Sequence, residues 1–209
     1  MARSIHDITP LVSPSLAVFP GDTPFSSKHL LHLDKGDPVT LSTTTSTVHL
    51  GAHIDGPNHY DQNADGVDTI PLDRCVGPCD VITVSTHPDA RFAIDELAHE
   101  PTHPRVLLRT STYRDPNTWA DSFAAPAPEC VDALADLGVQ LLGIDTPSVD
   151  SATSKGLPSH ARCAARNITI LEGIVLTDIP DGVYELVALP LRLEGLDASP
   201  VRAVLRELG

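Results

Sequence analysis

The amino-acid sequence predicts an α/β fold with a mixed β-sheet. Short apolar runs rich in β-branched residues recur along the chain, and turn-forming residues bound each of them. Helical patterns fall between several of these runs, an alternation that is typical of α/β architectures. The chain has 209 residues, and no linker, repeat or low-complexity tract divides it. We therefore expect a single domain over residues 1–209.

Individual elements follow from local patterns. Proline and glycine punctuate the first 40 residues, so turns and short extended pieces are expected there instead of helices. Residues 39–50 read VTLSTTTSTVHL, and their β-branched side chains favour a strand. Further strands are predicted at 80–85, 105–110, 139–145, 169–176 and 184–191, several of them buried on both faces. Helices are predicted at 94–99, 128–137 and 159–166, the second with Pro128 in its first turn and Gly138 after its end.

Charge and composition exclude several classes of partner. The chain carries 14 Lys and Arg against 28 Asp and Glu, a formal net charge of −14, and its mean hydropathy is −0.01. An acidic globular protein without a basic run is repelled by phosphate backbones and by anionic membrane surfaces. We expect neither nucleic acid nor membrane as a partner.

The compartment is predicted from the N-terminal segment and the cysteines. The first residues lack the apolar core of a signal peptide, and no stretch approaches 18 uninterrupted apolar residues. Four cysteines in 209 residues are too sparse for a disulfide framework, and the Cys75-x3-Cys79 pair has no matching second pair for zinc. These features favour a cytoplasmic protein with reduced, mostly buried thiols.

The segment from 49 to 59 is the strongest functional signal. It reads HLGAHIDGPNH, with His49, His53, Asp55 and His59 at odd positions, so an extended chain would project all four side chains from one face. Imidazole nitrogens and a carboxylate are ligands for divalent zinc, manganese or iron, and the two oxygens of Asp55 could bridge two ions. Gly-Pro after Asp55 should bend the chain and bring His59 in from another side. The bland alternative is a set of separately hydrogen-bonded histidines.

Two residues elsewhere are weaker candidates for the same chemistry. His160 lies in a loop that opens a predicted helix, and loops often carry functional side chains. Glu172 interrupts an otherwise apolar strand, where an ionised carboxylate is costly unless it is paired or coordinated. The alternative for Glu172 is a surface position on an edge strand.

The motif His49-x-Gly-x-His53-x-Asp55-x-Pro57-x-His59 resembles the signature of the metal-dependent cyclase-like hydrolases. Further segments are also similar to that family: Asp7-Ile-Thr, Phe19-Pro-Gly-Asp22, residues 143–150, Ile170-Leu-Glu172-Gly and residues 184–202. Within the family, the chain is most similar to bacterial kynurenine formamidases. The resemblance covers nearly the whole chain. The sequence departs from the family pattern at Phe19, where tryptophan is frequent, and at Ala52, where threonine is frequent.

The resemblance implies a site with assigned roles. His49, His53 and Asp55 would hold one metal ion, and Asp55 would hold a second ion together with His160 and Glu172. His59 would donate and accept the proton, and Phe19 would contact the substrate. Two divalent ions per subunit are implied, with zinc the first choice and manganese the second, since such ligand sets accept several metals.

The resemblance also implies an activity and an architecture. The reaction would be hydrolysis of N-formyl-L-kynurenine to L-kynurenine and formate in tryptophan degradation, on a swivelling β/β/α fold in a homodimer. The sequence contains no Gly-x-Ser-x-Gly motif, which argues against the unrelated serine-hydrolase route. Two alternatives remain open: a related cyclic-amide hydrolase such as an isatin hydrolase, and a non-catalytic metal-binding protein. For the substrate carboxylate the candidates are Arg202 and Ser199, although a surface salt bridge is the more ordinary reading of Arg202.

Overall fold

The computed structural model describes residues 4–208, and a nine-stranded mixed sheet dominates this part of the chain. The strands are β1 (Ile5–Asp7), β2 (Ser26–Leu31), β3 (Leu41–Thr45), β4 (His53–Asp55), β5 (Val76–Thr83), β6 (Arg91–Phe92), β7 (Arg105–Arg109), β8 (Ala125–Pro126), β9 (Leu141–Ile144), β10 (Thr169–Glu172), β11 (Gly182–Val187), β12 (Ala198–Pro200) and β13 (Val204–Glu207). The helices are α1 (Leu72–Cys75), α2 (Pro128–Asp136) and α3 (Pro158–Arg166). The predicted mixed α/β class is therefore confirmed.

The large sheet has a parallel centre and antiparallel flanks. Its order is β1-β13-β11-β5-β7-β9-β10-β4-β12. Strands β5, β7, β9 and β10 run parallel, whereas β4 is antiparallel to β10 and β11 is antiparallel to β5. The carboxyl ends of β7, β9 and β10 consequently lie on the same side of the sheet, beside the amino end of β4. The polar side chains described below lie at these strand ends.

The centre of the sheet is buried on both faces. All residues of β9 and β10 are buried, as predicted for strands that read as continuous apolar runs. Neighbouring residues alternate between two apolar clusters: Leu107 and Leu171 pack on one side, and Leu108 and Ile170 pack on the other. Helices α2 and α3 cover the second side, while the curled flanks of the sheet cover the first.

Several predicted elements are confirmed, with shifted ends. The five later strand predictions overlap β5, β7, β9, β10 and β11, and two of the helix predictions correspond to α2 and α3. Gly138 follows α2 with a φ of 88°, as expected of a residue that ends a helix. The helix predicted at 94–99 is wrong, because only a 3-10 turn forms at Ile94–Glu96.

The strand predicted at 39–50 is also wrong over its second half. Only Leu41–Thr45 is extended, and it forms an exposed two-stranded ribbon with β2. The chain then bends before β4, and Gly51 adopts a φ of 58° that side chains other than glycine rarely take. The bend packs closely against Gly173, because the Cβ of any other residue at 173 would lie 2.3 Å from the carbonyl oxygen of Gly51. Gly173 thus lets the bend sit directly against the end of β10.

The four cysteines are free and buried, in agreement with the predicted reduced thiols. Burial raises the pKa of each thiol; for Cys79 and Cys130 the value rises to about 12. Thiols with such pKa values stay protonated near neutral pH and behave as small apolar groups. Over residues 4–208 there is also no helix with the length and apolarity that a membrane crossing requires.

Replacement of Asp80 by asparagine should destabilise the fold in a pH-dependent way. Asp80 is buried in β5, and its carboxylate accepts hydrogen bonds from the backbone N–H groups of Thr102 and His103, both at 2.8 Å. Burial disfavours the anion, but these hydrogen bonds outweigh burial and hold the pKa of Asp80 below its usual value. We expect Asp80→Asn to lower the free energy of unfolding by about 1.5–3 kcal/mol at pH 7.

Denaturant unfolding at several pH values tests this expectation. A lowered native pKa stabilises the fold above the unfolded pKa of about 3.9, and the stabilisation disappears as the pH falls through the native value. The difference between wild type and variant should therefore shrink below about pH 4. Asp34→Asn, at a side chain that is 89% exposed, is the control and should change little. A pH-independent difference would contradict this account of Asp80.

Candidate metal centre

Strand β4 positions the first pair of functional side chains. His53 and Asp55 are two residues apart on an extended strand, so both project from the same face, and both are buried. The antiparallel pairing of β4 with β10 sets His53 directly opposite Glu172. Glu172 is 4% exposed and lies in an interior strand, so the reading as a surface residue on an edge strand is wrong.

The carboxylate of Asp55 faces two sets of imidazoles. Its Oδ1 lies 3.3 Å from Nδ1 of His49 and 3.5 Å from Nε2 of His53. Its Oδ2 lies 3.5 Å from Nε2 of His160, which comes from the first turn of α3. Asp55 is therefore shared by two groups of potential metal ligands, the arrangement that the family resemblance implies.

Glu172 completes the junction between these groups. Its Oε1 lies 3.4 Å from Nε2 of His160, and its Oε2 lies 3.4 Å from Nε2 of His53. The backbone N–H of Val149 donates a hydrogen bond of 2.7 Å to Oε1, which fixes the carboxylate. The buried carboxylates of Asp55 and Glu172 thus face each other across the Nε2 atoms of His53 and His160.

The Nδ1 atoms of His53 and His160 lie within hydrogen-bond distance of oxygen acceptors. His53 Nδ1 lies 2.8 Å from the carbonyl oxygen of Gly51, and His160 Nδ1 lies 2.9 Å from Oδ2 of Asp150. A neutral imidazole that donates a hydrogen bond from Nδ1 keeps a lone pair on Nε2, the nitrogen that faces the cluster. Such partners are the usual support of metal-bound histidines.

His49 and His59 share a third carboxylate. Asp197 Oδ2 lies 3.0 Å from Nε2 of His49 and 3.8 Å from Nδ1 of His59. His59 sits at the end of a 3-10 turn, Pro57–His59, so the bend predicted after Asp55 is present. Its ring lies against that of His49 with 4.2 Å between centroids. The side chain of His59 is 32% exposed against 5% for His53, which makes His59 the imidazole most open to the adjoining cavity.

The electrostatic potential in the cluster favours positive charge. Burial by itself disfavours the imidazolium form, yet the nearby carboxylates of Asp55 and Asp197 raise the pKa of His49 to about 9. For His160 burial acts in the same direction, yet the carboxylates of Asp150, Asp55 and Glu172 outweigh it and raise the pKa to about 12. Burial by itself would raise the pKa of the Asp55 carboxyl, but the neighbouring imidazoles of His160 and His49 outweigh burial. The pKa of Asp55 therefore lies well below the usual range. Where carboxylates stabilise protons this strongly, they also stabilise a metal cation.

Unpaired buried atoms test whether these residues fit a metal. Among the described residues, Nε2 of His53 and both carboxylate oxygens of Asp55 are buried without a hydrogen-bond partner. A buried polar atom without a partner is costly, so such atoms call for a ligand. Tetrahedral coordination with metal–ligand bonds of 2.0–2.1 Å separates neighbouring ligand atoms by about 3.3–3.4 Å. The observed separations of 3.3–3.5 Å therefore suit divalent ions.

All five predicted ligands come together, although not by the geometry that their spacing suggested. His49 lies in the bend before β4, so the expectation that its side chain shares an extended face with His53 and Asp55 is wrong, whereas His59 follows the predicted bend. Three-residue groups of His and Asp side chains have potential ligand atoms within 4.8 Å of one another, among them His49, His53 and Asp55. A second such group contains Asp55, His59 and His160, which makes His59 an alternative ligand.

Two carboxylates at the centre escaped sequence reasoning. Asp150 and Asp197 both lie in segments that carry the family resemblance, but neither has a local pattern that marks it as functional. Only the fold brings Asp150 to His160 and Asp197 to His49. The signal available in the sequence was an acidic residue in an otherwise apolar or turn-rich segment, which is too common to be specific.

A cavity of about 570 Å³ opens over the cluster. His49, His53, His59, His160 and Glu172 line its base, and Phe19 lines its wall. Its volume lies within the range of small-molecule sites. The candidates Arg202 and Ser199 lie outside the lining: Arg202 pairs with Asp7 at 2.6 Å on the surface, and Ser199 is buried.

Replacement of Asp150 by asparagine should weaken metal binding. The Asp150 carboxylate is fully buried, and it accepts hydrogen bonds from Nδ1 and the backbone N–H of His160, from the N–H of Ser159 and from Arg91 at 2.8 Å. Burial alone would favour the neutral carboxyl, but these partners hold the pKa of Asp150 down at about 2. The asparagine cannot satisfy all of these donors. We expect a 10- to 100-fold weaker affinity for zinc, approximately the loss seen when a support of a metal-bound histidine is removed.

Calorimetric titration with zinc measures this effect. Asp132→Asn is the matched control, because Asp132 also pairs with arginines but lies 30% exposed on the surface of α2. Unchanged affinity in a folded Asp150→Asn variant would show that His160 needs no such support.

Comparison with known proteins identifies the class. Residues 6–151 match the model of the family described as putative cyclase, so the chain belongs to that family. A solved structure described as a potential metal-dependent hydrolase with cyclase activity shares 27% identity over 100% of both chains, with a TM-score of 0.81. A predicted metal-dependent hydrolase from Bacillus stearothermophilus gives the same identity, coverage and TM-score. Isatin hydrolase A from Ralstonia solanacearum, 24% identical, has the same fold, with a TM-score of 0.82 over 99% of this chain and 92% of that one.

Proposed function

We propose that the protein is a metal-dependent arylformamidase that hydrolyses N-formyl-L-kynurenine to L-kynurenine and formate. One observation carries the hydrolase part of this proposal: Asp55 is shared by two groups of largely buried candidate ligands beside an open cavity. A purely structural metal site is closed, whereas a catalytic one keeps an open side. The similarity to solved metal-dependent hydrolases adds support.

The residues of the chain divide into two functions. His49, His53 and Asp55 would hold one divalent ion, and Asp55, His160 and Glu172 would hold the second. When bound, such ions supply Lewis-acid chemistry, which polarises a carbonyl oxygen and acidifies water. Asp150, Asp197 and the carbonyl oxygen of Gly51 fix the orientation of the imidazoles.

His59 would move the proton. Burial lowers the pKa of His59, so its imidazole is neutral near neutral pH and has one nitrogen able to accept a proton. It would take a proton from the attacking water and return it to the nitrogen of the departing arylamine, a leaving group that is poor unless protonated. Phe19 would contact the aryl ring of the substrate at the cavity wall.

Hydrolysis of isatin is the competing proposal. Isatin hydrolases share this fold, and isatin is also an aryl amide whose carbonyl carbon would be attacked by water. The family resemblance of residues 184–202 favours the formamidase. A non-catalytic metal protein is the less favoured alternative, because it would have no use for the accessible imidazole of His59.

An assay with both substrates tests the proposal. Purified protein is incubated with N-formyl-L-kynurenine or isatin, as isolated, after chelation, and after zinc or manganese is restored. We expect kynurenine to form, chelation to abolish its formation and added metal to restore it. Turnover of isatin alone would transfer the proposal to cyclic amides, and turnover of neither substrate by metal-loaded protein would leave the binding role. The homodimer implied by the resemblance stays a prediction, which sedimentation would test separately.

A further inference from the structure

One arginine lies among the acidic residues that line the cavity. Five carboxylates contribute to the lining: Asp22, Asp145, Asp150, Glu172 and Asp197. Arg114 is the single lysine or arginine among the described lining residues. In a chain of net charge −14, an anionic ligand gains most from such an isolated cation.

The segment that carries Arg114 is anchored at its base. Asp145, which follows β9, accepts hydrogen bonds from the N–H and hydroxyl of Thr110 at 2.9 and 2.7 Å and from the N–H of Ser111 at 2.8 Å. Ser111 has a φ of 56°, an uncommon backbone conformation that these bonds help to hold. Nε of Arg114 donates to the carbonyl oxygen of Ser111 at 3.2 Å. The arginine is thus tethered through one nitrogen to a fixed turn.

The two terminal nitrogens of Arg114 remain available. Within residues 4–208, neither of them donates a hydrogen bond or takes part in an ion pair, and the residue is exposed. Other arginines near the site are occupied; Arg91, for example, binds Asp150 at 2.8 Å. A guanidinium presents its terminal N–H groups as a planar fork that matches a carboxylate.

The same segment supplies an aromatic wall. Trp119 packs edge-on against Phe19, with 5.2 Å between centroids, and Tyr113 packs near Trp119 at 6.4 Å. All three side chains line the cavity. The backbone N–H of Ala17 donates a hydrogen bond of 3.0 Å to the carbonyl oxygen of Pro116, which joins the segment of Phe19 to the segment of Trp119. An aryl ring against this wall would share one cavity with the metal ligands and with Arg114.

We infer that Arg114 recognises a carboxylate on the aliphatic arm of an aryl amide substrate. This inference rests on the proposed function and deepens it, because it distinguishes an amino-acid-bearing aryl formamide from a neutral aryl amide. Arg114 acts here as a specificity residue, and the aromatic wall of Phe19, Tyr113 and Trp119 would hold the aryl ring in the cavity that Arg114 also lines.

Paired substrates test the inference. N-formyl-L-kynurenine is compared with 2′-formamidoacetophenone, which keeps the ring, ketone and formamide but lacks the amino-acid arm. In Arg114→Gln we expect kcat/KM for N-formyl-L-kynurenine to fall about 10- to 100-fold, mainly through KM, because a charge-assisted hydrogen-bonded pair is lost. The value for 2′-formamidoacetophenone should change less than about twofold. Arg114→Lys should recover part of the loss, since it keeps the charge without the fork.

Binding measured by fluorescence separates this inference from the proposed function. Trp119 is the only tryptophan of the chain, so its emission reports on the cavity wall. L-kynurenine should quench it in the metal-loaded wild type, and the methyl ester of kynurenine should bind about 10- to 100-fold more weakly. Arg114→Gln should bind acid and ester equally. Arg192→Gln, at an exposed arginine outside the cavity, is the control.

Each outcome has a distinct meaning. If neither formamide is hydrolysed but the preference for acid over ester depends on Arg114, the proposed function fails and the inference stands. If formamides are hydrolysed and Arg114→Gln retains the wild-type preference, the inference is overturned and the function stands. Equal binding of acid and ester by the wild type also overturns the inference.

Discussion

Asp55→Asn should abolish both metal binding and activity. Asp55 offers Oδ1 to His49 and His53 and Oδ2 to His160, so one side chain belongs to both ligand groups. An asparagine of the same shape keeps one oxygen but turns an NH₂ group, which cannot coordinate a cation, toward the other group. We expect kcat/KM to fall by at least about three orders of magnitude, since Lewis-acid stabilisation is worth several kcal/mol.

Metal analysis after dialysis measures the first half of this prediction. The wild type should retain two ions per chain and Asp55→Asn one or none. Asp61→Asn is the matched control, because Asp61 lies a few residues further along but is exposed and accepts a local backbone hydrogen bond. A thermal unfolding curve verifies that the variant folds. Full metal content in a folded but inactive Asp55→Asn protein would contradict the shared role of Asp55.

Local patterns in the sequence predict the centre of the sheet well. Strands β7, β9 and β10 are short apolar runs between turn residues, a pattern that is typical of strands buried on both faces. The flanking strands are less visible: β1, β12 and β13 are three or four residues long and acquire their structure by pairing with distant partners. Such pairing depends on chain topology, which periodicity does not encode.

The candidate site shows the same division. His53 and Asp55 share a face because alternation on a strand is a local rule, and that rule was enough to find them. His49 reaches Asp55 through a bend at Gly51 that packs against Gly173, and no local rule predicts that long-range contact. Arg114 and Trp119 join Phe19 across the cavity for a similar reason, since their segment is anchored by Asp145 from another strand end.

His59→Ala should separate catalysis from metal binding. His59 lies beside His49 and is the most exposed imidazole of the cluster, and Asp197 Oδ2 is 3.8 Å from its Nδ1. If it moves protons, its loss leaves the two ligand groups around Asp55 and Glu172 intact. We expect metal content to stay at the wild-type level while kcat falls about 10²- to 10⁴-fold, the usual contribution of a general acid or base. Metal analysis and steady-state kinetics on the same preparation provide both values.

Rescue by free imidazole decides between the two roles that the geometry allows for His59. The cavity is open, so imidazole in solution should enter the space left by the alanine and restore part of the rate in proportion to its concentration. His87→Ala, at an exposed histidine outside the cavity, should behave as wild type. His59 can also be grouped with Asp55 and His160 as a ligand. If that grouping were the functional one, His59→Ala would lose metal as Asp55→Asn does, and added metal instead of added imidazole would restore the rate.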